Sequence, residues 1–217
     1  MKTKIKIYLI IIVALAAFLR FWQIDKYPHG FNADEASYAY NAYSLISTGK
    51  DEFGHPWPIH LESFADYKPA GTAYLMLPFI KVFGLNELAA RLPSLIFGVL
   101  SVLLIYLLVQ ELFSIPYFSL ISAFFLAISP WHIHFSRGAW ETNLATTFLL
   151  LGTYFFFKGL SYPKFFVFSI ISLSFYLLRH YFLILEASNF CYYSGYSCIR
   201  DTYARSNRQR KQRVFFV

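Results

Sequence analysis

Five residues carry the chemistry open to this chain. Asp34 and Glu35 adjoin in FNADEASYAY, and Lys68, Arg91 and Arg137 follow in DYKP, AARLPS and HFSRGAW. A carboxylate within reach of a hydroxyl can take its proton as the oxygen attacks. Lysine offers a phosphate a point charge, and arginine offers it a forked pair of donors. An acid and three cations on one side would therefore suit base-assisted attack beside a phosphate group. Each residue also has a plainer reading. An acid in the first turn of a helix complements the dipole, and basic residues at span ends reach toward lipid headgroups. Capping alone accounts for Glu35. It does not account for Asp34, which caps nothing obvious.

The elements that must position these residues lie in a membrane. The chain of 217 residues is 57% hydrophobic and only 14% charged, against about 25% charged in a soluble domain. Charge-free runs cover residues 7–19, 92–110, 112–136, 142–157 and 165–178. About 20 apolar residues cross a bilayer as a helix, fewer when basic ends can snorkel. The fold class expected is all-α: a polytopic membrane protein with about five transmembrane helices. The first run, with Lys2, Lys4 and Lys6 before it, also resembles a cleavable signal peptide. An uncleaved first helix is simpler, because further spans follow.

Basic residues favour the cytoplasmic side. The three N-terminal lysines place the N-terminus there, and the loop from about residue 23 to 90 is then extracytoplasmic. Trp22, Trp57, Trp131 and Trp140 all fall on that outer side, as an interfacial aromatic belt would. Within the long loop, Asn32 with Glu35 three residues later forms a capping box. Ala36, Ala39, Tyr40, Tyr43 and Ile46 recur at helical spacing, and Gly49 suits a helix C-terminus. An amphipathic helix over residues 33–48 is predicted along the membrane surface, aromatic face down. A second is expected from about Thr72 to Phe83.

The remaining polar residues are less specific. His132 and His134 form an H-x-H pair that could ligate a metal if the segment were extended, or sit in a wet interface. Cys191 and Cys198 support neither a zinc site nor a disulfide. No phosphate-cradling glycine loop, nucleophile elbow or zinc-protease motif occurs. The net charge of +7 gathers largely in the last twenty residues, so no nucleic-acid partner is expected.

The run FNADEASYAY…GKDEFG…DYKP…FGLNELAARLPS, with SPWHIHFSRGAWE after it, resembles the N-terminal part of GT-C glycosyltransferases. That group contains the protein O-mannosyltransferases and the aminoarabinose (lipid A) transferases. The resemblance spans about residue 5 to Tyr176. It implies an enzyme using a polyprenyl-phosphate sugar as donor and a hydroxyl of a protein, lipid or glycan as acceptor, working in the bilayer on its extracytoplasmic face. It implies Asp34 as the catalytic base, and Lys68 at the donor phosphate. Arg91 and Arg137 match family arginines near the active site, and Glu35 joins them as a candidate substrate-binding residue. In the aminoarabinose transferases a Glu linked to a metal directly precedes the lysine. Here that position is Tyr67, with Asp66 one further back. No metal ligand and no cofactor is therefore assigned, and a divalent metal stays open. A single displacement assisted by one base would invert the anomeric centre.

Residues 1–176 are thus read as the N-terminal part of the transmembrane glycosyltransferase domain. Residues 177–217 are read as the end of the fifth span and a basic tail, non-native through frameshift or truncation, with a genuine short tail as the alternative. On that reading the chain alone is expected to be an inactive fragment. The competing functional class is a small polytopic transporter or accessory subunit. Charges within the spans would favour transport; here they sit at the span mouths.

Overall fold

The computed structural model describes residues 2–63 and 66–177, with backbone alone for 2, 63, 66 and 67. The expected end of the fifth span, Cys191, Cys198 and the basic tail lie outside the described residues. Helix α1 (Lys2–Phe21) leads to α2 (Ala33–Thr48), a hairpin of β1 (His60–Ser63) and β2 (Asp66–Pro69), and α3 (Gly71–Phe83). Then follow α4 (Glu87–Phe113), α5 (Pro116–Ile128), α6 (Pro130–Ser136) and α7 (Glu141–Ser161), and finally α8 (Phe165–Leu177).

Helices α4 and α7 are long and apolar enough to cross a membrane, and α5 with α6 makes a third span if that bent pair is one. Among the described residues this criterion marks fewer helices than the about five expected, for three local reasons. Lys4, Lys6 and Arg20 lie inside α1. The run over residues 112–136 breaks between α5 and α6 with a 61° bend. The described part of α8 is a short apolar helix. The helices nevertheless carry outward bands of large apolar side chains, including Ile7, Ile10 and Ile11 on α1, Phe118 and Phe125 on α5, and Ile170 on α8. Contiguous apolar surface is a liability in water and is what lipid tails meet. The protein is an integral membrane protein.

Helix α4 is the hub, packing on α1, α3, α5 and α7. Small residues permit the close approach: Ala16, Ala123 and Ala127 meet Val102 in one buried cluster, as lipid-embedded helices require where little hydrophobic drive exists between them. Gly98 does the same locally, since a Cβ there would lie 2.3 Å from the Ser136 hydroxyl.

The first loop folds as expected, with one addition. Helix α2 has the bounds read from its caps. Asn32 accepts from the Glu35 N–H at 2.7 Å, Glu35 returns a contact to the Asn32 N–H at 3.3 Å, and Gly49 is left-handed at φ 72°. Its face of Tyr38, Ala39 and Ala42 packs on Ala73, Met76 and Ile80 of α3. Tyr40, Tyr43 and Ile46 stay exposed on the other side. The hairpin was not anticipated. It pairs Leu61 with Lys68, and Leu61 is buried in the α2–α3 cluster. That cross-strand pair fixes where Lys68 emerges.

Candidate active site

The head of α2 gathers two ion pairs of different kinds. Asp34, in the first turn, meets Lys68 from β2. Its side chain is 46% exposed while that of Lys68 is 13% exposed, so the acid faces open space and the lysine lies beneath it. The Lys68 ammonium also stands 5.8 Å from the centre of the Tyr38 ring. Tyr38, one turn along α2, donates its hydroxyl to Glu141 at the start of α7.

Glu35, the next residue, turns inward. Its two oxygens accept from Arg91 Nε and Nη2, each at 3.2 Å, and it accepts from the Ala139 N–H at 2.7 Å. Both side chains are almost wholly buried. Arg91 donates further to the carbonyls of Pro28 at 2.9 Å and Gly30 at 2.7 Å. This pair therefore ties α2 to α4, to residues 28–30 and to the α6–α7 turn.

Arg137 is held differently again. Its guanidinium donates to the carbonyls of Leu19 at 3.1 Å, Trp22 at 2.8 Å and Tyr27 at 2.8 Å, satisfying groups left open at the end of α1. Burial, followed by the nearby Arg91 charge, lowers its pKa. The three expected cations thus do not form one ring around Asp34: Lys68 reaches it, while Arg91 and Arg137 anchor the surrounding backbone.

Two cavities flank this arrangement. An apolar groove of about 300 Å³ runs along Thr72, Leu75, Leu144, Phe148 and Phe175, with Glu141 on its wall. Tyr74, also on that wall, donates to the Pro58 carbonyl at 2.6 Å. Its phenol is pushed up by burial and, less, by Asp51. A second cavity of about 480 Å³ is bordered by residues 27–32, Glu35, His134, Arg137 and Trp140. Trp140 and Glu141 are consecutive, yet they line different cavities.

The H-x-H pair is not extended. It lies on α6, where residues two apart point to different sides. His132 is buried and its Nδ1 lies 2.7 Å from Arg20 Nη2. Arginine can only donate, so this nitrogen accepts. His134 is exposed at the larger cavity. Among the described residues no three His, Cys, Asp or Glu side chains gather as a metal site. The side chains of Asp66 and Tyr67 lie outside that description.

Sequence reasoning passed over Tyr38, Glu141 and Arg20. Tyr38 was the most legible, four residues after Asp34 and so on the same helix face.

A polytopic helical membrane protein, with a carboxylate and a lysine paired at the head of a loop helix, is the class these features define. By its match over residues 67–213, the chain belongs to the dolichyl-phosphate-mannose-protein mannosyltransferase family, of GT-C type. It is thus a membrane glycosyltransferase in kind. The match contains Lys68, Arg91 and Arg137 and continues through the segment set apart above as a tail; Asp34 and Glu35 precede it. No curated protein and no solved structure matches the chain.

Proposed function

We propose that the protein's site transfers a sugar from a polyprenyl-phosphate donor to a hydroxyl acceptor on the extracytoplasmic face, with inversion. The observation that carries this reading is the Asp34–Lys68 pair, half open to solvent and linked through Tyr38 and Glu141 to an apolar groove. The groove suits a polyprenyl segment, and Lys68, next in the chain to Pro69 on the groove's wall, suits the phosphate.

In the step proposed, the acceptor oxygen attacks the anomeric carbon opposite the phosphate. The carbon–oxygen bond to phosphate breaks, and the electron pair leaves with the lipid phosphate. Lys68 stabilises that charge, which is worth most in a site poor in water. Asp34 takes the acceptor proton, for about 10²–10⁴ in rate. In the resting state Lys68 is paired with Asp34; when the donor's phosphate draws the ammonium away, the carboxylate is free to meet the acceptor hydroxyl. Glu35, Arg91 and Arg137 act by holding the head of α2, the end of α1 and the α6–α7 turn in register.

A transporter reading would want charges along a path through the bundle. The buried Arg20 is instead tied to the carbonyls of Ala16, Leu126 and Ala127, a structural use.

Binding of polyprenyl-phosphate mannose to the chain in lipid nanodiscs tests the reading. Lys68→Ala should weaken it about 10- to 100-fold, the loss of one charged hydrogen bond. Unchanged affinity would remove Lys68 from the phosphate. The matching Asp→Asn exchange in a family member with measurable transfer should abolish turnover and leave donor affinity intact.

A further inference from the structure

The larger cavity, about 480 Å³ and bordered by Tyr27, His29, Phe31, Asn32, His134 and Trp140, has no part in the donor chemistry just described. Its volume falls within the ~300–1,000 Å³ of small-molecule sites. Its walls are chemically specific. Tyr27, Phe31 and Trp140 supply aromatic surface, whose negative faces attract the slightly positive C–H groups of a pyranose. His29, His134 and Asn32 add hydrogen-bonding groups to the same lining.

The charged groups at its edge are already engaged. Glu35 is matched by Arg91, and Arg137 is directed at backbone carbonyls. With those donors and acceptors engaged, what the walls themselves offer, aromatic faces beside amide and imidazole groups, fits a polyol. The indole is also held in place. Trp140 meets Phe135 edge to face with ring centres 5.9 Å apart. It folds over Gly138, where a Cβ would lie 2.6 Å from the indole nitrogen. Any side chain at 138 would push the ring away.

The position matters as much as the lining. The cavity touches Asn32 and Glu35 at the start of α2, while the apolar groove meets that helix through Tyr38 and Glu141. Asp34 is flanked in the sequence by the two cavity residues Asn32 and Glu35. From this placement we infer that the cavity receives the pyranose of a saccharide acceptor, so that the hydroxyl acceptor is a glycan. The inference rests on the proposed transfer for the word acceptor, but not for the binding itself.

Saturation-transfer NMR on the full chain in deuterated detergent, with methyl α-D-mannopyranoside and no donor, tests it. Saturation of the ring C–H protons is expected in the wild type. It should fall at least several-fold in Trp140→Ala and Gly138→Ala, return in Trp140→Phe, and persist in Trp22→Ala. Circular dichroism and gel filtration verify that each variant is folded, and Phe31→Ala serves if Trp140→Ala is not. No saturation in folded wild type, or saturation indifferent to residues 140 and 31, overturns the site. Displacement of the glycoside by inorganic phosphate or by a serine peptide overturns the saccharide assignment, and displacement by polyprenyl-phosphate mannose overturns the acceptor assignment. Because the glycoside is read without donor, its result stands apart from the Lys68 experiment.

Discussion

Asp34 and Glu35 are neighbours in the chain and opposites in setting: Glu35 is buried against Arg91, while Asp34 stands half exposed over Lys68. Successive residues on a helix point about 100° apart, so one element can anchor with one acid and present the other. That division separates the residues expected to govern stability from those expected to govern chemistry.

The buried pair should dominate stability. Arg91→Leu strands the Glu35 charge in the interior, at a cost of about 3–5 kcal/mol. Glu35→Gln leaves Arg91 its second partner, Glu87 at 3.3 Å, and should cost less. Thermal unfolding in detergent should show Arg91→Leu strongly destabilised, and the double variant should recover part of that loss, because no buried carboxylate then lacks its partner.

Asp34 should behave in the opposite way. A partly exposed ion pair contributes about 0–1 kcal/mol, so Asp34→Asn should leave the unfolding midpoint nearly unchanged. A large drop in the midpoint would make Asp34 a structural residue and remove the reason for assigning it chemistry.

Gly98 should tolerate no side chain. A Cβ would stand 2.3 Å from Oγ and 2.6 Å from Cβ of Ser136, and overpacking of this kind costs about 1–3 kcal/mol. Gly98→Ala should lower the melting temperature, and adding Ser136→Gly should restore much of it.

Arg20 should secure the α5–α6 bend. It donates to Ala127 O at 3.1 Å and Leu126 O at 3.3 Å, carbonyls that a helix end inside a bilayer cannot leave open. Arg20→Leu should cost about 1–3 kcal/mol. It should also speed amide exchange across residues 126–136. Arg20→Lys should fall between it and the wild type.

Much of the first loop was legible because its signals are local. Asn32, Glu35 and Gly49 act within a few residues of themselves, and they bound α2 as the sequence predicted. The apolar runs at 92–110 and 142–157 were legible for the same reason, since length and lack of charge suffice to mark α4 and α7. The hairpin was not legible. HLES and DYKP show little alternation, and their pairing follows from Leu61 being drawn into the α2–α3 cluster.

The residue types set the membrane setting, the helix starts and the identity of the acids and cations, because hydropathy, capping and charge are properties of short stretches. Which acid meets which cation depended on contacts across the fold. Lys68 reaches Asp34 over a separation of 34 residues, and Arg91 reaches Glu35 over 56. Arg137 turns to the carbonyls of residues 19 and 22. No local rule orders those choices. They follow from buried polar groups having to find partners once the helices have packed, and only the tertiary structure records which partners were within reach.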